Sequence, residues 1–249
     1  MTLLSVNVNK IALLRNSRGT NFPDLLVFVR RILGQGVRGI TVHPRPDQRH
    51  ITRQDAYDLA NLLRDWPGVE YNIEGYPSDD FMALIEKTRP AQCTLVPDEP
   101  GQLTSDHGWD VNAQQQRLRP VIQQLHDWGV RSSLFLDPEP AQIAAVHAVG
   151  ADRIELYTEA YARAYATGDT GHIAQVLDRY RATADAAVAA GIGVNAGHDL
   201  NLKNLGAFLS IGNVIEVSIG HALIVESLEM GIDDVLALYQ AITGESDGF

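Results

Sequence analysis

The chain contains eight short runs in which apolar and polar residues alternate, and this pattern predicts eight β-strands. The runs begin near residues 3, 39, 70, 92, 132, 153, 192 and 214. Stretches with the spacing of amphipathic helices lie between them, at 24–33, 55–64, 78–87, 114–128, 140–149, 173–190 and 232–242. The strand starts are 21 to 40 residues apart, which leaves room for the crossover helix that parallel pairing requires.

Eight successive strand–helix units in 249 residues predict an α/β fold, a TIM (β/α)8 barrel with extra helices. No linker or change of composition divides the chain, so we expect residues 1–249 to form one domain. The longer intervals after the fourth and sixth strands hold segments 97–110 and 158–171. We expect these segments to be lids or additional helices at the catalytic face. A doubly wound sheet is the alternative fold.

Alternation along the predicted strands places polar side chains on the face opposite to the apolar one. The apolar face, with Val6, Ile40 and Ile73, is expected to pack against the helices. The opposite face carries Ser5, Asn7, Asn9, Thr41, His43, Arg45, Asn72, Glu74, Arg153, Glu155, Tyr157, Glu216 and Ser218. Aliphatic residues usually fill such a barrel, so charges inside must be paired or hydrated. They indicate an active site or, alternatively, a buried ion-pair network that fixes strand register.

Composition narrows the class of protein. Twenty basic against 31 acidic side chains give a net charge of −11 without a block of Lys or Arg, which argues against general nucleic-acid binding. No stretch approaches 18 uninterrupted apolar residues, and the first ten residues lack a basic region followed by an apolar run. Cys93 is the only cysteine, which fits a reducing compartment. We therefore expect a soluble cytoplasmic protein with no membrane association.

Imidazole and carboxylate groups gather at the carboxyl ends of the predicted strands, where TIM-barrel active sites lie. His43, His198 and His221 end strands 2, 7 and 8, while His50 follows strand 2 and Glu74 ends strand 3. Such groups can be tuned to exchange protons near neutral pH. They lack the HxH or HExxH spacing of metal sites, so proton transfer without a metal is the favoured interpretation.

Candidate anion ligands lie at the same end of the barrel. Glycine-rich segments 191–197 and 218–221 follow strands 7 and 8, the usual phosphate-binding position of this fold. Four arginines, whose planar fork suits phosphate, follow strands 1 and 2: Arg15, Arg18, Arg45 and Arg49. Lys10 lies just beyond strand 1 and either binds phosphate or forms a Schiff base with a carbonyl substrate.

Six segments carry longer motifs, in order along the chain: 5–19 (SVNVNKIALLRNSRG), 39–51 (GITVHPRPDQRHI), 72–75 (NIEG), 95–97 (LVP), 194–198 (VNAGH) and 218–222 (SIGHA). Together they resemble the pyridoxine 5′-phosphate synthase family. The resemblance implies a TIM barrel that assembles as a homo-octamer and needs neither a metal nor an organic cofactor. It implies a transferase of vitamin B6 biosynthesis that condenses 1-deoxy-D-xylulose 5-phosphate with 3-amino-2-oxopropyl phosphate. The products are pyridoxine 5′-phosphate, inorganic phosphate and water.

The resemblance also implies roles for individual residues. His43 and Glu74 are implied as proton acceptors, His198 as a proton donor, and Glu155 as a group that stabilises charge in the transition state. The residues implied to bind the two phosphorylated substrates are Asn7, Asn9, Lys10, Arg18, Arg45, His50, Thr104, Asp199, Gly220 and His221. Segment 97–105 is implied as a closing lid. The amine of one substrate supplies the imine, so the family chemistry needs no enzyme lysine.

Three positions depart from the family pattern. Many members have Asp-His where this chain has Asn9-Lys10, Gly where it has Asp199, and Gly-Arg where it has Val225-Glu226. The departures concern the substrate contacts, whereas the proton-transfer residues are all present. Two other functions stay open: a Schiff-base aldolase-like enzyme that uses Lys10, and a phosphosugar-binding protein without catalytic activity.

Overall fold

Eight parallel strands close into one barrel in the computed structural model, which describes residues 1–98 and 105–245. The strands are β1 (Leu3–Asn7), β2 (Gly39–Val42), β3 (Glu70–Gly75), β4 (Gln92–Leu95), β5 (Arg131–Leu136), β6 (Arg153–Tyr157), β7 (Gly193–Gly197) and β8 (Val214–Ile219). Because β1 pairs with both β2 and β8, the sheet is closed and the predicted (β/α)8 barrel is confirmed. The doubly wound alternative is wrong, since an open sheet would leave β1 and β8 unpaired.

Helices surround the barrel in the described part of the chain. They are α1 (Asn9–Asn16), α2 (Leu25–Gly34), α3 (Arg53–Leu63), α4 (Asp79–Thr88), α5 (Val111–Asp127), α6 (Ile143–Val149), α7 (Glu159–Thr167), α8 (Thr170–Ala189), α9 (Leu205–Leu209), α10 (His221–Met230) and α11 (Ile232–Thr243), with a 3-10 turn at Pro140–Gln142 before α6. Helices α7 and α8 confirm extra helical structure in segment 158–171. Residues 105–110 contain neither helix nor strand.

The sequence pattern missed α1, α9 and α10, and two of these directly follow strands. Val8 leaves the strand conformation, and the Asn7 carboxamide accepts the Asn9 backbone N–H at 3.1 Å, a local bond that turns the chain into α1. The prediction that Asn9 lies on the lumen face of the first strand is therefore wrong, as is the placement of Arg45 on the second, which ends at Val42.

Helix caps fix the loops at the carboxyl end of the barrel. Thr52 and Asp55 form a reciprocal capping box at the start of α3, directly after the His50 loop. Ser78 accepts the Phe81 N–H at 3.3 Å and begins α4, as predicted. These caps satisfy backbone N–H groups locally, so the loops after β2 and β3 run in defined paths toward the barrel mouth.

The barrel interior is polar, as the strand alternation predicts. Fully buried Leu4, Val6 and Ile40 pack outward against the helices. Inside, Ser5 and Thr41 share a hydrogen bond of 2.7 Å, Asn72 donates to Thr41, and Thr94 donates to Asn72 at 3.1 Å. This neutral belt satisfies polar groups that would otherwise be costly to bury.

The amino-terminal half of the interior holds an ion-pair network. Arg153 donates to Glu216 at 2.9 Å, and the carboxamides of Asn195 and Gln92 donate to the same carboxylate at 3.1 and 3.5 Å. These side chains come from four strands, so their bonds link β4, β6, β7 and β8. The sequence pattern left open whether the polar lumen is an ion-pair network or an active site. The lumen contains an ion-pair network in its amino-terminal half and candidate catalytic groups at the carboxyl ends of the strands.

Candidate active site

His43 and Glu74 lie side by side at the carboxyl ends of β2 and β3. The His43 Nδ1 and Glu74 Oε2 atoms are 3.8 Å apart, and the Asn9 carboxamide oxygen accepts the His43 backbone N–H at 2.9 Å. Burial, together with the charges of Arg45 and His50, lowers the pKa of His43 well below its usual value. Burial and the nearby Glu155 raise the pKa of Glu74 well above its own.

These opposite pKa shifts favour the neutral form of both groups. The imidazole can accept a proton at neutral pH, and the carboxylate is a stronger base than an exposed glutamate once it is ionised. An arriving cationic or protonated amine favours that ionised form. The pair is therefore suited to proton abstraction from a bound substrate.

An electropositive pocket adjoins this pair. His50 is buried, and its ring centroid lies 6.5 Å from that of His43. The Ile51 N–H donates to His50 Nδ1 at 2.9 Å, so the proton of the neutral ring is on Nε2. Burial and the charges of Arg45, Lys10 and Arg49 lower the pKa of His50 to about 4. The same positive charges that disfavour a cationic imidazole favour the binding of an anion beside His50.

A cavity of about 590 Å³ opens at the same place, between the loops that follow β2 and β3. Its lining includes His43, Arg45, Arg49, Tyr76 and Asp98. This volume falls within the range of small-ligand sites. Arg45 is buried there and donates to the Asp98 carboxylate at 2.6 Å. The cavity thus combines basic side chains and their carboxylate partners with His43, the neighbour of Glu74.

His198 stands at the end of β7, on the other side of the mouth. Its ring packs edge-on against Tyr157, with the ring centroids 4.9 Å apart, and its Nδ1 lies 2.9 Å from the Asp199 carboxylate. Glu155 lies next to Gly197, the residue before His198. Its carboxylate fills the space that a side chain at Gly197 would occupy. His221 is exposed at the start of α10, close enough for its charge to lower the pKa of Asp199.

Hydrogen bonds connect the two sides of the mouth. The Tyr157 hydroxyl donates to the Ser105 carbonyl at 3.2 Å, and the Ser105 hydroxyl donates to Asp98 at 2.8 Å. Since Asp98 also binds Arg45, the connection reaches the electropositive pocket. The sequence analysis missed Asp98 and the role of Tyr157. An acidic residue directly after the Leu95–Pro97 motif, at the end of a barrel strand, was the available signal for Asp98.

Residues 4–245 match the sequence family described as "Pyridoxal phosphate biosynthesis protein PdxJ". The chain belongs to the PdxJ family. A relative from Albidiferax ferrireducens named pyridoxine 5′-phosphate synthase is 51% identical over 244 residues, which cover 96% of each chain. One from Flavobacterium johnsoniae with the same name is 49% identical over 240 residues, covering 96% of this chain and 98% of the relative.

Solved structures support the PdxJ-family fold independently of sequence. A mutant tryptophan synthase α-subunit from Pyrococcus furiosus superposes with a TM-score of 0.63 at 11% identity and covers 98% of both chains. A protein from Aquifex aeolicus gives 0.62 at 14% identity, covering 98% of this chain and 92% of that one. At these identities the likeness concerns the barrel alone.

The residues predicted to contact substrate have the following places in the fold. Asn7 packs against Gly220, since a Cβ at that glycine would lie 3.1 Å from the Asn7 Cβ. Lys10 lies in the first turn of α1, half-buried and near His50. Arg18 is exposed in the turn after α1. Thr104 lies outside the described residues, as does most of the implied lid.

Besides Arg45, which binds Asp98, two further arginines of the predicted anion cluster pair with carboxylates. Arg15 contacts both carboxylate oxygens of Asp55, at 2.5 and 2.7 Å, and is buried. The prediction that Arg15 helps to hold an anion is wrong, because this pair occupies its guanidinium with α3. Arg49 pairs with Asp47 at 2.6 Å. Because Arg49 is only half-buried and also lines the cavity, its place beside the electropositive pocket agrees with the prediction.

Glu226, one of the departures from the PdxJ-family pattern, has a different environment from the predicted phosphate pocket. One carboxylate oxygen accepts the Tyr239 hydroxyl at 2.5 Å, and the other accepts the Leu202 N–H at 3.2 Å. Glu226 therefore joins α10 to α11 and to the loop that follows β7.

No group of three or more His, Cys, Asp or Glu side chains is arranged to hold a metal ion in residues 1–98 and 105–245. In the same ranges, no helix has the length and apolarity needed to cross a bilayer.

Glu155→Gln is expected to change how the stability of the fold depends on pH. Burial and Glu216 raise the pKa of Glu155 from 4.5 to about 8, so the folded state binds this proton more tightly than the unfolded chain does. The contribution of Glu155 to the free energy of unfolding of the wild type therefore falls as pH rises from about 4.5 to about 8. Glutamine cannot ionise, so the variant should lose less stability over this interval.

Urea unfolding at pH 5 and pH 8.5 measures this effect for both proteins. The stability of the variant relative to the wild type should be greater at pH 8.5. Glu86→Gln, an exposed position on α4, is the matched control and should follow the wild type at both values. Identical pH dependence of Glu155→Gln and the wild type would contradict a strongly raised pKa.

Proposed function

We propose that the chain is a pyridoxine 5′-phosphate synthase that condenses 1-deoxy-D-xylulose 5-phosphate with 3-amino-2-oxopropyl phosphate. The products are pyridoxine 5′-phosphate, inorganic phosphate and water. The proposal is carried by one observation: the His43–Glu74 pair adjoins a cavity with a buried arginine and other basic groups. Relatives with about half of their residues identical over nearly the whole chain bear this enzyme's name.

In this reaction the substrate amine adds to the ketone of the phosphosugar, and loss of water gives an imine. Glu74 and His43 take up the protons that leave carbon and nitrogen while the condensed intermediate loses water and inorganic phosphate and an aldol-type carbon–carbon bond closes the ring. His198 returns a proton to the departing oxygen. Each of these is a general acid–base step, which typically contributes 10²–10⁴-fold to the rate.

Other residues bind the substrates and shape the electrostatics. Arg45, His50 and Lys10 hold the phosphosugar, while Asn7 and Gly220 line the second phosphate position with His221. Arg18, Asn9 and Thr104 complete the proposed substrate contacts. Glu155, neutral below about pH 8, donates a hydrogen bond to negative charge that develops above β6 and β7. No organic cofactor or metal enters these steps.

The deciding experiment supplies both substrates to the purified protein. Release of inorganic phosphate together with the fluorescence of pyridoxine 5′-phosphate is the expected result. Binding of the phosphosugar with no phosphate release would overturn the enzyme assignment and favour a binding protein.

A Schiff-base mechanism at Lys10 makes a different prediction. Lys10 lies near the pocket, since its charge contributes to the low pKa of His50. Borohydride trapping with 1-deoxy-D-xylulose 5-phosphate, followed by peptide mapping, should give no adduct on Lys10, because the substrate amine forms the imine. A reduced adduct on Lys10 would favour the aldolase-like alternative.

We also propose a homo-octamer of single-domain chains, each comprising residues 1–249, in the cytoplasm. Large apolar side chains stay exposed on one side of the barrel: Leu14 on α1, Phe22 before α2, Val27 on α2, and Val225 and Leu228 on α10. Phe22 and Leu228 are 80% and 78% exposed. Helix α1 contacts both α2 and α10, so these residues form one face. Apolar faces of this kind mark interaction sites.

Leu228→Lys is expected to lower the oligomeric mass, because a charge would be buried where chains meet. Sedimentation equilibrium should give about eight times the 27.3 kDa chain for the wild type and a smaller assembly for the variant. Val188→Lys on α8, an exposed apolar residue away from this face, should keep the wild-type mass. A monomeric wild type would refute the octamer.

A further inference from the structure

His198 and Asp199 form an imidazole–carboxylate pair at the carboxyl end of β7. The His198 Nδ1 atom lies 2.9 Å from Asp199 Oδ2, a normal hydrogen-bond distance. The bond from His198 holds the pKa of the Asp199 carboxyl below its usual value. Asp199 is therefore a carboxylate at neutral pH, and it can accept the Nδ1–H of the ring.

Hydrogen bonds from neighbouring residues fix an unusual backbone conformation at this pair. His198 and Asp199 have φ values of +85° and +59°, in the left-handed region that non-glycine residues seldom adopt. The Thr158 hydroxyl donates to the carbonyl oxygens of Gly197 and His198. The Asn204 carboxamide donates to the Asp199 carbonyl at 3.1 Å. Strain of this kind persists only where surrounding contacts impose it.

Further contacts hold the loop beyond the pair. Buried Tyr161 donates to the Asn204 carbonyl at 2.7 Å, and Glu226 accepts the Leu202 N–H. Residues from α7, α10 and the loop itself therefore fix where the two side chains meet. The imidazole–carboxylate contact therefore belongs to a loop whose conformation is fixed by hydrogen bonds to neighbouring elements.

Several charged groups face the pair from the elements packed around it. Arg163 of α7 and His221 of α10 lower the pKa of Asp199. Tyr157 of β6 packs against the His198 ring, and its hydroxyl donates to Glu159 at 2.9 Å. Asp106 lies near Tyr157 as well. Asp199 is the carboxylate of this group that bonds directly to the imidazole.

We propose that Asp199 is a positioning residue for His198. Its carboxylate binds Nδ1–H and orients the ring, so that Nε2 carries the proton that His198 delivers. This role rests on the proposed function, and it replaces the sequence-based expectation that Asp199 contacts substrate.

Asp199→Asn and Asp199→Gly test the proposal, because Asn and Gly are the residues that best tolerate a left-handed backbone. Both variants should fold like the wild type, with similar melting temperatures. We expect kcat to fall about 10-fold, equivalent to about 1.4 kcal/mol, while both KM values change less than 2-fold.

Nitrogen NMR of the histidine side chains gives a second readout that needs no substrate. Neutral His198 should carry its proton on Nδ1 in the wild type. In Asp199→Gly it should shift toward the Nε2–H form that free imidazole side chains prefer. Asp233→Asn removes an equal charge from an exposed ion pair with Arg31 and serves as the control. It should leave both kcat and the His198 signals unchanged.

The outcomes separate this proposal from the proposed function. A wild-type kcat and an unchanged His198 tautomer in Asp199→Gly would overturn the positioning role. A raised KM with unchanged kcat would overturn it in favour of a substrate contact. If the wild type releases no phosphate from the two substrates, the proposed function fails, while the NMR comparison still decides whether Asp199 sets the His198 tautomer.

Discussion

Glu74→Gln and His43→Asn are each expected to lower kcat by about 10²-fold or more. Each substitution keeps the size of the side chain but removes its capacity to accept a proton. The loss should fall on kcat with smaller changes in KM, because the anion-binding groups beside the pair stay in place. Steady-state phosphate release at saturating concentrations of both substrates measures the effect.

The pH dependence provides a second test of the same pair. Glu74 must be ionised to act as a base, and burial raises its pKa well above the usual carboxyl value. Activity of the wild type should therefore rise with pH through a range in which an exposed carboxylate is already fully ionised. Glu74→Gln should remove this acid limb from its residual activity.

Glu86→Gln on α4 is the matched control for charge and should behave as the wild type. Melting temperatures of all variants should stay close together, since Gln and Asn fill the same space. Near-wild-type turnover in both Glu74→Gln and His43→Asn would contradict their assigned roles.

The barrel and the position of its mouth could be predicted from local sequence. Hydrophobic alternation fixes strand identity, and parallel strands in a closed barrel bring their carboxyl ends together. This rule alone predicts that His43, Glu74 and His198 lie at the same end of the barrel, although 155 residues separate the first from the last. The turn at Asn7–Asn9 was not predictable in the same way. There a single side-chain bond, rather than periodicity, ends β1 and begins α1.

Pairing between charged residues that are distant in the chain could not be predicted from the sequence either. Arg15 and Arg45 look alike as candidate phosphate ligands after neighbouring strands. In the fold, Arg15 is bound through both carboxylate oxygens of Asp55, 40 residues away, whereas Arg45 lines the cavity beside Asp98. The distinction depends on where α3 packs relative to α1, and no local pattern contains that information. Electrostatic assignments therefore required the three-dimensional structure.

Depth within the lumen is a second property that strand alternation cannot resolve. Glu74, Glu155 and Glu216 all belong to the lumen face, and each has a raised pKa because of burial. Glu216 is bonded to a cation, Arg153, in the amino-terminal half of the barrel. Glu74 and Glu155 lie nearer the mouth, where their carboxyl groups are suited to exchange protons with a substrate. Position along the barrel axis thus separates a structural role from a chemical one.

Glu216→Ala is expected to lower the free energy of unfolding by about 3–5 kcal/mol at pH 8, because it leaves Arg153 buried without its carboxylate. Burial raises the pKa of Glu216 to about 7, so at pH 8 the carboxylate is mostly ionised and pairs with the guanidinium. Urea unfolding at a fixed protein concentration measures the loss. Glu216→Gln, which keeps the polar contacts with Asn195 and Gln92, should lose less.

The double variant Arg153→Met with Glu216→Leu separates pairing from simple loss of packing. Apolar replacement of both partners removes the buried charges together, so most of the stability lost in Glu216→Ala should return. Turnover of the folded double variant should stay within a few-fold of the wild type, because neither residue belongs to the proton-transfer group at the mouth. A Glu216→Ala variant within 1 kcal/mol of the wild type would show that the lower network does not hold the barrel together. A large loss of kcat in a stable double variant would instead place Glu216 in the chemistry, since Glu155 lies within reach of its charge.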